Sequence, residues 1–149
     1  MINLLEVFKR FPEYTIMKIR GNFPAYARGQ DIDIACKNSH DCYVCLYDYF
    51  EYLRPIVVSF KDNDHIHFDI MYDGGIELRF DLYGEFISPS FTEAILDHKM
   101  MVKYGDYNIW IAGYHEDILI KSWEYHTNAK QQYKDYAKYI NGLDGYKDR

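Results

Sequence analysis

His65-Ile66-His67-Phe68-Asp69-Ile70-Met71-Tyr72, Asp73-Gly74-Gly75 and Ile76-Glu77-Leu78-Arg79-Phe80-Asp81-Leu82 form one continuous run that sets the architecture of the chain. Polar and apolar residues alternate on both sides of Asp73-Gly74-Gly75, the pattern of two half-buried strands joined by a tight hairpin turn. Successive side chains of a strand point to opposite faces. His65, His67 and Asp69 therefore share one face of the first strand, and Glu77, Arg79 and Asp81 share one face of the second. Each strand offers an apolar face to pack on helices and a second face rich in charge.

The same alternation recurs upstream in Asp31-Ile32-Asp33-Ile34, where both carboxylates point one way and both isoleucines the other. If these strands are neighbours, Asp31, Asp33, Asp69, Arg79 and Asp81 converge on one surface. Solvation alone can explain alternation, because antiparallel sheets often leave one face in water. It explains less well why the polar positions are Asp, His and Arg rather than Thr and Lys. Carboxylates held side by side repel unless a cation lies between them. A glycine-bearing turn at 21–30 can bring backbone N–H groups to a phosphate. Together these features point to a magnesium–nucleotide site.

Outward from this centre, residues 2–11 read as an amphipathic helix stopped by Pro12, and 15–20 as a strand. Residues 31–37 form the carboxylate strand, and Ser39 caps a helix over 40–53 that Pro55 closes. Strands at 56–61, 65–72 and 76–83 follow. Ser90-Phe91-Thr92-Glu93 has capping-box spacing and predicts a helix to about residue 103, ended by Gly105. A short strand at 107–112 precedes a long helix over 115–140, ended by Asn141-Gly142. The expected product is an α+β fold in one domain, 1–149, with a mixed or antiparallel sheet, helices on one face and a charged cleft on the other. Its motif-bearing core spans about 15–83 and its helical C-terminal part about 90–141.

The composition fits this picture. The chain has 149 residues, 48% hydrophobic and 27% charged, enough for one ordinary core. Its 16 tyrosines suit half-buried faces with wet hydroxyls. A net charge of −6 makes general nucleic-acid binding unexpected, although a bound metal can reverse the local sign at a nucleotide site. Residues 1–10 are short, amphipathic and include Glu6, so neither a signal peptide nor a membrane span is expected, and the cytoplasm is the expected compartment. Cys36, Cys42 and Cys45, an odd number, suit a reducing compartment; Cys42-x-x-Cys45 lacks a second pair at zinc-site spacing and reads as small side chains buried on a helix.

The chain resembles the DNA polymerase beta-type nucleotidyltransferase superfamily in its small single-domain form, over roughly residues 15–83. Ile19-Arg20-Gly21-Asn22 stands where that family has a strand ending in Gly-Gly or Gly-Ser, and Asp31-Ile32-Asp33-Ile34 where it has its Asp-x-Asp. Phe68-Asp69-Ile70 matches the third carboxylate, with Phe80-Asp81-Leu82 as the competitor. Asn22 departs from the usual small residue, and the loop with Pro24 is short for the helix commonly found there.

The resemblance implies transfer of a nucleoside monophosphate from an NTP to an acceptor, with Asp31, Asp33 and Asp69 holding one or two Mg²⁺ ions. Asp69 would also accept the acceptor's proton, and Gly21, Asn22, Arg28 and, less directly, Arg20 or Arg79 would bind the triphosphate. It leaves a second reading open, a non-catalytic binding or regulatory module, antitoxin-like, with a protein partner. His-x-His-x-Asp at 65–69 has the ligand types for a transition metal and supports a third. His126, Lys130 and Lys134 read as a solvated helix face that can reach a triphosphate.

Overall fold

The structure, a computed structural model, describes residues 1–19 and 21–146. Its elements are α1 (Leu4–Lys9), β1 (Tyr14–Met17), β2 (Gln30–Cys36), α2 (Ser39–Phe50), β3 (Ile56–Lys61), β4 (His65–Tyr72), β5 (Gly75–Tyr83), α3 (Pro89–Asp97), β6 (Met100–Tyr104), β7 (Tyr107–Ile111), α4 (Tyr114–Asn128) and a 3₁₀ segment, Gln131–Tyr146. All seven strands lie in one sheet of order β3-β4-β5-β2-β1-β7-β6. The β2–β5 and β1–β7 pairs are parallel and the others antiparallel, so the sheet is mixed, as expected for this α+β chain.

The β4–β5 hairpin forms as its sequence demands. Tyr72 pairs with Gly75, and Asp73 and Gly74 take φ of 50° and 77°, the positive values a two-residue type I′ turn needs. The apolar faces of the central strands build the main core. Ile32 and Ile34 of β2, Phe68 and Ile70 of β4, and Leu78, Phe80 and Leu82 of β5 pack there with Val7 and Phe8 of α1 and Cys42, Leu46 and Phe50 of α2. Phe80 alone has ring contacts with Phe8, Phe11 and Phe50.

Helices are not confined to that face. Met17 and Ala35 point the other way and are covered by Phe91 and Ile95 of α3 and Leu119 and Ile120 of α4. This second, smaller core closes the charged face beyond Asp33 and turns the exposed sheet into a cleft.

Local boundaries shifted where competing caps existed. Asn38, one residue before Ser39, caps α2 by accepting from the Asp41 N–H. Ser88 rather than Ser90 caps α3, accepting from the Phe91 N–H. The helix expected to reach residue 103 stops at Asp97. The apolar run that follows is the β6–β7 hairpin, turned at Gly105 with φ of 62°. The expected 115–140 helix ends at Asn128, where Ala129 adopts the left-handed conformation. The chain then returns against α4, with Leu143 and Tyr146 packed on the second core. Cys36 and Cys42 are buried and Cys45 half-buried, all three free. Among the described residues no helix is long and apolar enough to cross a membrane.

Candidate functional site

Cross-strand register arranges the charged face in rows. Asp31, Arg79 and Asp69 are consecutive partners across β2, β5 and β4. The next row is Met17, Asp33, Asp81 and His67 across β1, β2, β5 and β4. The row beyond it holds Ala35, Tyr83 and His65. Opposed residues on one face lie close enough to interact directly, so this grid decides which carboxylates meet.

Asp31, Asp33 and Asp81 meet: each offers a carboxylate oxygen within 4.8 Å of the others. Asp69, expected as the third member, does not join them. Arg79 donates from Nε to its Oδ1 at 2.6 Å and from an amino group to its Oδ2 at 3.0 Å. This fork-to-carboxylate geometry uses both oxygens of Asp69 and engages two of the N–H donors of Arg79. Asp69 is thus replaced in the cluster by Asp81, and Arg79 serves Asp69 rather than an open phosphate position. Phe80-Asp81-Leu82 and Phe68-Asp69-Ile70 are the same local pattern, so strand order alone separates them.

A lysine already addresses the cluster. Lys18 sits just past the end of β1 at φ of 53°, in the left-handed region that bulky residues seldom adopt. Its ammonium lies 3.1 Å from Asp33 and also pairs with Glu124 of α4, which is 5% exposed. Burial works against the Lys18 ammonium, but Asp33 and Glu124 outweigh it and hold its pKa above the ordinary lysine value. Burial pushes the Asp33 carboxyl up to about 6; Lys18 opposes that rise, while Asp81 and Asp31 add to it. Neither Lys18 nor Glu124 stands out in the sequence, because neither lies in a patterned motif with the aspartates.

The cluster opens into a cleft of about 340 Å³. Lys18, Asp31 and Asp33 line its sheet side, and Lys121, Lys130 and Tyr133 its other side. Lys121 is held by Asp117 at 2.7 Å and lies over the Tyr133 and Tyr136 rings. Lys130 enters the cleft because Ala129 breaks the helix and turns the chain. Of the other two residues read with it, Lys134 does not line the cleft and His126 faces the Ala137 carbonyl at 2.9 Å.

The expected phosphate binders are placed differently. Gly21 and Asn22 are exposed and do not line the cleft, and the Asn22 carbonyl accepts from the Ala25 N–H at 2.8 Å. Arg28 reaches the far end of the sheet, donates to the Tyr72 carbonyl and lies over the Tyr72 ring. Arg20 lies outside the described residues.

On the opposite side of Asp81 stand His65 and His67. Their Nε2 atoms lie 2.9 and 2.8 Å from the same oxygen, Asp81 Oδ1. Burial lowers the His67 pKa, and Asp81 opposes the shift. His65 stacks on Tyr83 with ring centroids 4.0 Å apart. Burial, then Asp33 and Asp81, raise the Tyr83 hydroxyl above its ordinary value, so it stays protonated.

The crowding of acids has a measurable consequence in metal-free protein. Among the described residues, the groups facing Asp33 include Lys18 just past β1, Asp31 from β2, Asp81 and Tyr83 from β5 and, through Lys18, Glu124 from α4. The folded-state value of about 6 lies above the ordinary 3.8, so the native protein holds an extra proton between them. That contribution to stability is present below about pH 4 and is lost as pH rises through 6, on the order of 3 kcal/mol in all. Urea titrations in EDTA are expected to show wild type losing stability relative to Asp33→Asn across this window. A pH-independent difference between the two proteins would refute the assignment.

No protein-family model matches the chain, and no curated protein matches it. The fold and this cluster therefore stand on their own geometry.

Proposed function

We propose that the protein is a Mg²⁺-dependent nucleotidyltransferase that transfers a nucleoside monophosphate from an NTP to an acceptor. One observation carries this reading: Asp31 and Asp33 of β2 line a cleft whose facing wall carries two lysines, and buried Asp81 of the adjacent β5 converges on them from behind. The donor set fits the metal, because hard divalent cations prefer carboxylate and phosphate oxygens. Burial, with Asp81 and Asp31 adding to it, raises the Asp33 carboxyl, and a divalent cation would offset that repulsion.

Asp31, Asp33 and Asp81 would hold Mg²⁺, which when bound supplies charge neutralisation to the triphosphate and the attacking oxygen. Lys121 and Lys130 supply ammonium donors to phosphate oxygens from across the cleft. Lys18, tied to Glu124, fixes the orientation of Asp33. Asp69 has no part in proton transfer in this arrangement, because Arg79 engages both of its oxygens.

Isothermal titration with Mg²⁺ and each NTP tests the reading. Triphosphate binding that requires Mg²⁺ and disappears in Asp31→Ala/Asp33→Ala is expected. Absence of metal-dependent binding in the wild type would overturn it.

The Lys18–Asp33 pair favours a second reading, in which a lysine takes the cation's place and the domain is a non-catalytic, antitoxin-like binding module with a protein partner. Under that reading Lys18→Ala destabilises the protein and gains no Mg²⁺-dependent NTP binding.

A further inference from the structure

The nucleotidyl-transfer reading uses one side of Asp81 and leaves its other side unexplained. There, His65 and His67 project from one face of β4, two residues apart, and Asp81 lies directly opposite His67 on β5. Both imidazoles aim Nε2 at a single carboxylate oxygen, at 2.9 and 2.8 Å. His65, His67 and Asp81 each offer a ligand atom within 4.8 Å of the other two.

In a tetrahedral site with bonds near 2.05 Å, neighbouring ligand atoms lie about 3.3 Å apart. The observed nitrogen–oxygen separations therefore need to open by only a few tenths of an ångström. The rings are also held in place. His65 stacks on Tyr83 at 4.0 Å, and His65 and His67 pack edge to face at 4.6 Å. Two neutral imidazoles and one carboxylate are the donors that borderline cations choose over Mg²⁺.

The site keeps an open side. His65 and His67 line a shallow recess with Phe60, Lys61 and Asp62, on which water or an anionic group can complete the coordination. The carboxylate trio opens instead into the cleft lined by Asp31 and Asp33. Asp81, 5% exposed, lies between the two and is common to both.

We propose that His65, His67 and Asp81 form a second metal site, for a borderline divalent cation such as Zn²⁺, joined to the carboxylate cluster through Asp81. It differs from the set suggested by the sequence run His65-x-His67-x-Asp69, because Asp69 is engaged by Arg79. A metal here would replace the histidine contacts to Asp81 Oδ1 and fix that carboxylate from behind.

Co²⁺ titration of metal-stripped full-length protein tests this without any nucleotide, so its outcome is independent of the transferase reading. Wild type is expected to bind one equivalent with the visible d–d absorption of a four-coordinate nitrogen–oxygen site, displaced by Zn²⁺ and unaffected by excess Mg²⁺. His65→Ala and His67→Ala are each expected to weaken binding at least about tenfold. Asp31→Asn/Asp33→Asn is expected to retain the spectrum. Circular dichroism in EDTA checks that each variant folds, and His67→Gln substitutes where His67→Ala does not. Absent bands in wild type would overturn the proposal, as would bands that survive loss of either histidine. Bands lost with Asp31 and Asp33 would also overturn it, since they would place the cobalt in the carboxylate cluster.

Discussion

Asp81→Asn is expected to weaken Mg²⁺-dependent NTP binding about 100-fold, or about 2.7 kcal/mol. The substitution keeps the shape of the side chain and removes one of three converging charges. It acts where a cation would sit, since Asp81 lies beside Asp33 in register and within reach of Asp31. Asp69→Asn is the informative control. Its carboxylate is turned to Arg79, so binding is expected to fall by less than about threefold, which corresponds to about 0.7 kcal/mol. Calorimetric titration of both variants against the same NTP reads the two numbers directly. The reverse ranking would return the third position to Asp69 and contradict the observed convergence.

The second large effect concerns stability. Asp69 is a buried carboxylate, 7% exposed, and Arg79 supplies two hydrogen bonds to it. Breaking a buried pair by removing one partner strands the other charge, at a typical cost of 3–5 kcal/mol. Arg79 is itself partly exposed, with 32% of its side chain open, which places Arg79→Leu toward the lower end, about 3 kcal/mol. Removing both partners relieves the stranded charge. Arg79→Leu/Asp69→Leu is expected to be more stable than Arg79→Leu alone, with a coupling energy above about 1 kcal/mol. Urea denaturation of the four proteins of the cycle gives that coupling. A value near zero would mean that the pair holds nothing together.

Much of the fold was legible because its decisive elements are local. Alternation over 65–83 and a turn needing two positive φ values specify a hairpin without reference to the rest of the chain. The central strands appear where the alternation put them, and Ile32, Ile34, Phe68 and Phe80 lie in the core. The C-terminal third was less legible for an equally local reason. Lys99-Met100-Met101-Val102-Lys103-Tyr104 is a short apolar run that periodicity cannot divide between helix and strand. Ser88, two residues before the expected Ser90, caps α3, and Ala129, a good helix former, ends α4 in a left-handed conformation. There, packing of the returning 3₁₀ segment on α4 outweighs propensity.

The site divides along the same line. Period-two alternation already committed Asp31, Asp33, Asp69 and Asp81 to polar faces of their strands, because a side chain's face follows from its position in the strand. Which of them meet depends on strand order, and no local pattern encodes that. β5 lies against β2, so Asp81 is one strand away from Asp33; β4 lies beyond β5, so Asp69 is two strands away. With strands about 4.8 Å apart, that second step carries a carboxylate to roughly 10 Å, outside the reach of a shared cation. Lys18, Lys121 and Lys130 likewise reach the cleft only when α4 and the end of β1 are packed together. Strand alternation alone turns the carboxylates to one face, because side-chain direction is local; the pairing of β2 with β5, a long-range contact, selects the three that converge.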